Sequence, residues 1–183
     1  MQRICIFCGS ANGVSPVYVD AARRTGIALA HCGVELVYGG GRNGLMGVVA
    51  DSVLEAGGRV IGVIPQMLID RETGHRGLTQ LHVVKSMPER KTLMIELSNG
   101  FVTLPGGLGT MDEFYEVVSL AQLELHQKPS ALLNIEGYYD PLLALTERFI
   151  QDGFMKASQR EEWIVSANPE ALIEILVARM GQG

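Results

Sequence analysis

The sequence predicts an α/β fold in which helices cover both faces of a mostly parallel, doubly wound sheet of about seven strands. Three observations support this fold class. Strand-like and helix-like stretches alternate along the whole chain. Several strand-like stretches, such as 60–64, are continuously apolar, which is typical of strands buried on both faces. Pro16 and Gly33 lie where the first helix should begin and end, which agrees with the preferences of these residues.

The predicted strands are short and apolar, and they lie near residues 3–8, 34–38, 59–64, 81–84, 100–104, 130–135 and 163–165. The predicted helices fill the intervals at about 16–32, 44–56, 88–98, 110–126, 139–152 and 168–180. The longest predicted loop covers about 65–80 and contains Glu72, His75 and Arg76, and loops of this length are often functional lids. Because no linker or repeat interrupts the pattern, we expect residues 1–183 to form one domain.

Composition and charge exclude several classes of function. The chain has 183 residues, of which 47% are apolar and 19% charged, as expected for a globular protein. A net charge of −5 without a basic block disfavours a nucleic-acid partner. No apolar run reaches the roughly 20 residues that a membrane span needs, and the N-terminus does not have the layout of a signal peptide. We therefore expect a cytoplasmic protein without a membrane partner.

The Cys5-x-x-Cys8 pair resembles half of a redox or metal site. Both cysteines lie in the first predicted strand, where a spacing of three residues puts them on opposite faces. A redox pair normally lies in a turn that opens a helix, and no second Cys/His pair is placed to complete a zinc site. We expect neither a metal nor a cofactor.

The segment 101–113 predicts an anion-binding site. Residues 101–104 form an apolar strand that Pro105-Gly-Gly107 ends, and Thr110-x-x-Glu113 then opens a helix in the form of a capping box. Glycines allow backbone N–H groups to approach a ligand closely, and a helix N-terminus carries about half a positive charge. A strand, a glycine turn and a helix N-terminus in this order are suited to holding a phosphate.

Three other predicted strands also end in polar or glycine-rich segments. In doubly wound sheets, ligands bind at the carboxyl ends of the strands. Here the first strand runs into Gly9-Ser10, the second into Gly39-x-Gly41-x-x-Gly44, and the fourth into 86–91. The second segment matches the dinucleotide fingerprint, but the next strand ends at Ile64-Pro65 without an acid for a ribose hydroxyl. NAD binding is therefore disfavoured, which leaves a turn for close helix packing or a wall for a mononucleotide.

Arg90 is the most informative charged residue in the sequence. Ser86-x-x-Glu89 predicts a second capping box, which places Arg90 in the first turn of its helix. A cation there opposes the helix dipole at a cost of roughly 0.3–1 kcal/mol. Arg90 also shares the apolar stripe of Leu93 and Met94, so it should face inward and meet an anion. That anion is either a ligand or an internal partner such as Glu113.

Glu113 also has two interpretations. As the third helical residue of a capping box it would bond back to the backbone of Thr110. The same position, together with a nearby arginine, would stabilise the ionised carboxylate. A catalytic Glu113 is therefore expected to act as an anion, and it is a poor candidate for a proton donor. The histidines, His31, His75, His82 and His126, do not form a cluster.

Taken together, these motifs resemble the LOG ("Lonely Guy") family of cytokinin riboside 5′-monophosphate phosphoribohydrolases. Residues 105–113 fit the pattern PGGxGTxxE of that family, and 8–10, 38–47 and 87–91 look like its other sequence blocks. So do Pro65, Leu68, Glu72, His75 and Leu78 in the long loop. Pro88 replaces a common histidine, and Leu108 stands where an aromatic residue is frequent. Similar sequences were once labelled lysine decarboxylases, but no lysine here has a pyridoxal-binding context.

The resemblance implies a Rossmann-like homodimer that cleaves the N-glycosidic bond of AMP or an N6-modified AMP such as N6-isopentenyl-AMP. The products of this N-ribosyl hydrolase would be a free base and ribose 5-phosphate. The catalytic residues of the family fall on Arg90 and Glu113. The substrate and phosphate contacts implied are Gly9, Ser10, Gly40, Gly41, Gly44, Met87, Lys91, Gly106, Gly107, Leu108, Gly109 and Thr110. The alternative is a non-catalytic protein of the same fold that carries a nucleotide or a nucleotide-linked cofactor.

Overall fold

The structure is a computed structural model that describes residues 1–72 and 74–181, without the side chains of residues 70–72. The side chain of Glu72, one of the residues that carry the family resemblance, therefore lies outside the described residues. Within the described ranges, seven strands form one sheet: β1 Arg3–Phe7, β2 Glu35–Tyr38, β3 Val60–Pro65, β4 Gln80–Val84, β5 Gly100–Thr103, β6 Ser130–Leu133 and β7 Trp163–Ser166.

The strand order is β4-β3-β2-β1-β5-β6-β7, and every neighbouring pair is parallel. This arrangement confirms the predicted fold class and the predicted number of strands. From β1 the chain builds one half of the sheet outward to β4, and it then returns to place β5 on the other side of β1. The order reverses between β1 and β5, which is where a doubly wound sheet opens a crevice for ligands.

Eight α-helices are described: α1 Pro16–His31, α2 Gly44–Glu55, α3 Gln66–Glu72, α4 Met87–Leu97, α5 Leu108–Gln122, α6 Asp140–Gln151, α7 Ala157–Glu161 and α8 Pro169–Met180. The helices α3 and α7 are not among those predicted from the sequence. The predicted loop over 65–80 is therefore wrong in its first half, where α3 follows β3 directly. Both missed helices are short, with 7 and 5 residues, and a single turn or two shows little apolar periodicity.

The side chains of β1 alternate between two cores. Ile4 and Ile6 pack with residues of α1, α2 and α8 on one face of the sheet. Cys5 and Phe7 pack with residues of α4 and α5 on the other face. Cys8 lies one residue beyond β1 and belongs to the first core, so the two cysteines do face opposite sides, as predicted. Both are buried free thiols.

Two further findings concern the residues that the structure describes. None of the helices in this part of the chain combines the length and the apolar character that crossing a membrane would require. In the same residues, no group of three or more His, Cys, Asp or Glu side chains is arranged to hold a metal ion.

Candidate active site

Three glycine-containing loops meet at the carboxyl ends of β1, β2 and β5. The N–H of Gly9 donates to the carbonyl of Pro105 over 3.1 Å, and the N–H of Leu45 donates to the carbonyl of Gly9 over 3.0 Å. Gly44 has a φ of +60° and lies so close to the backbone of Ser10 that a side chain there would collide with it. The loops predicted from separate parts of the sequence therefore form one continuous backbone surface at the switch point.

The start of α5 differs from the prediction. Gly107 is the N-cap and Leu108 is the first helical residue, so the capping box predicted between Thr110 and Glu113 is wrong. Thr110 is instead the third helical residue, and it is buried with its hydroxyl against Gly106. Leu108 is 92% exposed, and a side chain at Gly107 or Gly109 would meet open space. The N-terminus of α5 is thus accessible to an anion.

Arg90 faces inward, as predicted, and reaches the carboxyl ends of β2 and β3. Ser86 is the N-cap of α4 and its hydroxyl accepts from the N–H of Glu89 over 3.3 Å, which places Arg90 in the first turn. Arg90 is only 7% exposed. Its Nε donates to the carbonyl of Val63 over 3.1 Å, and its Nη2 donates to the carbonyl of Gly39 over 3.2 Å. These two carbonyls hold the guanidinium beside the glycine loop.

The remaining guanidinium nitrogen of Arg90 faces Glu113. Nη1 lies 3.7 Å from Oε1 of Glu113, which is an ion-pair distance longer than a direct hydrogen bond. The sulfur of Met87 lies 3.9 Å from the same nitrogen. Gly39 makes this position available, because a Cβ at that residue would overlap the guanidinium. Of the two anions predicted to meet Arg90, the structure places the internal one, Glu113, beside it.

Glu113 lies in the second turn of α5 with its carboxyl directed into the protein. Burial raises its pKa to about 7, while the charge of Arg90 opposes that rise and Asp112 adds to it. The expected stabilisation of the ionised carboxylate by Arg90 is therefore outweighed by burial. Because Glu113 is not at the third helical position, it lies too far into α5 to reach the orphan N–H groups of the helix start. Near neutral pH, Glu113 is available both as a base and as an acid.

Lys91 lies on a different side of α4 from Arg90. Its Nζ is 2.6 Å from a carboxylate oxygen of Glu116 and 3.0 Å from one of Asp112. These partners raise the pKa of Lys91, with the hydrogen bond to Glu116 as the main cause. Lys91 therefore ties α4 to α5 and fixes the spacing of Arg90 and Glu113.

Gly40 and Gly41 contact the segment that follows α3. The N–H of His75 donates to the carbonyl of Gly40 over 3.1 Å, and Gly41 forms an antiparallel bridge with Gly74. The ring of His75 is held by its own contacts, with Nε2 at 2.8 Å from Oδ1 of Asp51 on α2. His75 thus fastens its segment to α2 and to the second glycine loop.

One contact of the anion-binding loop, between Tyr138 and Gly106, is not predicted from the sequence. The hydroxyl of Tyr138 donates to the carbonyl of Gly106 over 2.7 Å. The two residues are 32 positions apart, and only the pairing of β5 with β6 brings the segments that follow these strands together. The signal available was that Tyr138 follows the carboxyl end of a predicted strand.

A cavity of about 900 Å³ lies elsewhere, next to the second half of α5, and it involves neither Arg90 nor Glu113. Its lining is mixed, with aromatic side chains such as Tyr115, Phe154 and Trp163 beside polar ones such as His126.

The sequence of this chain is similar to those of named proteins and to one family model. Residues 46–176 match the model of a family described as "Possible lysine decarboxylase". The chain is 44% identical over 177 residues to cytokinin riboside 5′-monophosphate phosphoribohydrolase LOG5 of Arabidopsis thaliana, with 97% of this chain and 78% of the relative covered. It is 44% identical over 173 residues to the cytokinin riboside 5′-monophosphate phosphoribohydrolase of Rhodococcoides fascians, with 94% of this chain and 87% of the relative covered.

Solved structures with the same fold are more distant in sequence. A molybdenum cofactor binding protein from Rippkaea orientalis superposes with a TM-score of 0.73 at 20% identity, covering 98% of this chain and 97% of that one. The molybdenum cofactor carrier protein of Chlamydomonas reinhardtii gives a TM-score of 0.71 at 22% identity, with 100% of this chain and 99% of that chain covered. At these identities the likeness concerns the fold alone.

Proposed function

This chain belongs to the LOG family of cytokinin riboside 5′-monophosphate phosphoribohydrolases, and on that premise we propose that it hydrolyses the N-glycosidic bond of adenosine 5′-monophosphates, including N6-modified ones. The products are a free base and ribose 5-phosphate. The observation that carries the proposal is the buried pair of Arg90 and Glu113 beside the accessible N-terminus of α5. A protein that only held a nucleotide would need the loop but not this pair.

The 5′-phosphate is proposed to bind the N–H groups of Gly107, Leu108 and Gly109 at the start of α5. The open space around these residues and the positive end of the helix support this assignment. The side chain of Thr110 packs against Gly106. Gly9, Ser10, Gly40, Gly41 and Gly44 form the opposite wall, where backbone groups approach the nucleotide closely.

Arg90 and Glu113 are proposed to act on the ribose. Departure of the base leaves a ribose with oxocarbenium character, as in glycoside hydrolysis generally. Ionised Glu113 stabilises that charge or removes a proton from the attacking water, whose oxygen bonds to C1′. The proton that the water loses goes to the departing base, so the reaction consumes one molecule of water. Arg90 anchors the ribose-phosphate, and Met87 lies against its guanidinium. Lys91 acts through its bridge to α5.

We also propose that the protein is a homodimer. Leu123 and Leu125, just beyond α5, are each 68% exposed, and Phe154 is 81% exposed. Phe154 lines the 900 Å³ cavity beside α5. Exposed large apolar side chains next to a groove are typical of an interface. Light scattering of the pure protein tests this, and Leu123→Glu should shift the mass toward that of one chain.

The cytoplasmic location, and the absence of nucleic-acid and membrane partners, stay predictions from the sequence.

The experiment that tests the proposed function is direct. Pure protein is incubated with AMP and, separately, with N6-isopentenyl-AMP, and the free base is measured by chromatography. Release of base from at least one substrate is the expected result, and the ratio of the two rates gives the preferred substituent. Tight binding of both nucleotides without any release would contradict hydrolysis and support a carrier.

A further inference from the structure

Tyr138 lies directly beside the proposed phosphate site. It follows β6, whose neighbour β5 leads into the loop at Gly106. The turn before it, Ile135–Gly137, contains Glu136 at φ 49° and Gly137 at φ 71°. Two successive left-handed residues, one of them not glycine, define a backbone conformation that the surroundings must hold in place.

Side chains on both sides hold this turn. The amide of Asn134 donates to Asp140 over 2.8 Å, and the carbonyl oxygen of that same amide accepts from the N–H of Tyr139 over 2.6 Å. The ring of Tyr138 packs edge-on against Tyr18, with centroids 5.6 Å apart, and against Tyr139, with centroids 5.0 Å apart. The position of the Tyr138 hydroxyl is therefore determined by the turn and by two aromatic contacts.

We infer that Tyr138 is a positioning residue of the phosphate site, which fixes the direction of the Gly107 N–H through its hydrogen bond to the carbonyl of Gly106. This inference rests on the proposed function, because it deepens the assignment of the same site. Tyr138 is 39% exposed, and its hydroxyl donates to that carbonyl over 2.7 Å.

One peptide unit connects the Tyr138 hydrogen bond to the proposed phosphate site. The carbonyl of Gly106 and the N–H of Gly107 belong to the same planar trans peptide, so they point in opposite directions. Glycine has little intrinsic preference at either position, and this peptide would otherwise rotate easily. A hydrogen bond accepted by the carbonyl thus aims the N–H and also strengthens it as a donor. Tyr138 acts on the phosphate without touching it.

Tyr139 provides a matched control one residue away. Its hydroxyl also donates to a backbone carbonyl, that of Leu104 over 2.6 Å, but Tyr139 is 2% exposed and belongs to the core. Tyr139→Phe and Tyr138→Phe each remove one hydroxyl and keep the ring. A general effect of losing a tyrosine hydroxyl in this region will appear in both variants. An effect on phosphate binding will appear in Tyr138→Phe alone.

The test compares each nucleoside 5′-monophosphate with the nucleoside that lacks its phosphate. For Tyr138→Phe we expect the KM of the monophosphate to rise about 3- to 10-fold, the effect of one neutral hydrogen bond, with kcat within about two-fold of wild type. The KM of the nucleoside should not change, so discrimination between the two falls by the same factor. Tyr139→Phe should lower the midpoint of thermal unfolding and leave that discrimination intact.

An unchanged KM in Tyr138→Phe, or an equal loss with both substrates, overturns the inference. Binding of ribose 5-phosphate, measured by calorimetry, separates this result from a failure of the proposed function. If the protein releases no base from any nucleotide, a loss of about 3- to 10-fold in that affinity in Tyr138→Phe still supports the role of Tyr138. Equal affinities in wild type and variant overturn it, whether or not hydrolysis occurs.

Discussion

Two arginine–glutamate pairs in this chain show opposite physical behaviour. Arg24 on α1 and Glu170 on α8 form a bidentate pair with distances of 2.8 and 2.6 Å, and both side chains are more than a third exposed. Arg90 and Glu113 are almost fully buried, yet their closest approach is 3.7 Å. The hydrogen bond from Arg24 lowers the pKa of Glu170, whereas burial raises the pKa of Glu113 to about 7.

The difference supports the proposed catalytic role of the inner pair, Arg90 and Glu113, whereas the outer pair, Arg24 and Glu170, has no part in that proposal. The outer pair has good hydrogen-bond geometry. Exposed ion pairs nevertheless contribute little to folding stability, because water and salt screen their charges. The inner pair loses its contact with water on burial, and an ion pair at 3.7 Å does not fully replace that hydration, so the pair lowers folding stability. Groups with strongly perturbed pKa values in a cleft are typical of functional sites. Arg90 is held mainly by the carbonyls of Val63 and Gly39, so Glu113 does not have to hold it.

The largest expected effect is on catalysis. Glu113→Gln and Arg90→Ala should each lower kcat by a factor between about 10² and 10⁴, the range for losing a general base or an electrostatic contact in the transition state. Glu170→Gln is the matched control, since it makes the same change in the outer pair and should leave kcat within about two-fold. Steady-state release of free base measures all three. Wild-type turnover in Glu113→Gln would show that the inner pair is not catalytic.

The next effect concerns Gly39, which makes room for the inner arginine. In Gly39→Ala the new methyl group overlaps the guanidinium of Arg90. We expect about 1–3 kcal/mol of lost stability, as for other overpacked sites, together with at least a tenfold loss of kcat as Arg90 moves. Gly181→Ala is the control, because a methyl group there has ordinary contacts at the end of α8. Denaturant unfolding and turnover are measured together, and a stable, fully active Gly39→Ala would contradict the assigned position of Arg90.

The pattern of residues predicts much of this site, and the failures have physical causes. The inward direction of Arg90 follows from helix periodicity, and the meeting of the glycine loops follows from parallel strands, so both were predictable. The start of α5 was not, because Leu108 and Gly109 look like loop residues until the packing of Thr110 under Gly106 is known. The pKa of Glu113 depends on burial, and the role of Tyr138 depends on strand order. Neither property is local in the sequence.

The pH dependence of the two pairs should have opposite signs. The pKa of Glu113 rises from 4.5 to about 7 on folding, so between these values the folded state binds a proton that the unfolded state has lost. Stability therefore falls as the pH rises from about 4.5 to 7. Glu113→Gln should remove that dependence. At pH 8 the variant should be more stable to unfolding than wild type by roughly 1–3 kcal/mol, the order of free energy that corresponds to the pKa shift of Glu113. Urea unfolding at pH 5 and pH 8 measures the difference.

Activity gives an independent measurement of the same group. If the ionised carboxylate is the reactive form, kcat/KM should rise with pH and level off above an apparent pKa of about 7. A plateau that already begins near pH 5 would show that Glu113 is ionised throughout and would contradict the effect of burial.

The smallest effect belongs to the outer pair, and its sign completes the comparison. The folded state lowers the pKa of Glu170, so the ionised carboxylate stabilises the fold at neutral pH, and that contribution disappears as the pH falls through the lowered pKa. Glu170→Gln should therefore cost stability at pH 7, by no more than about 1 kcal/mol for an exposed pair. The loss should shrink further in 1 M salt, where the screening length is about 3 Å. A loss at pH 7 that salt does not reduce would mean that Arg24 and Glu170 act through packing, not through charge.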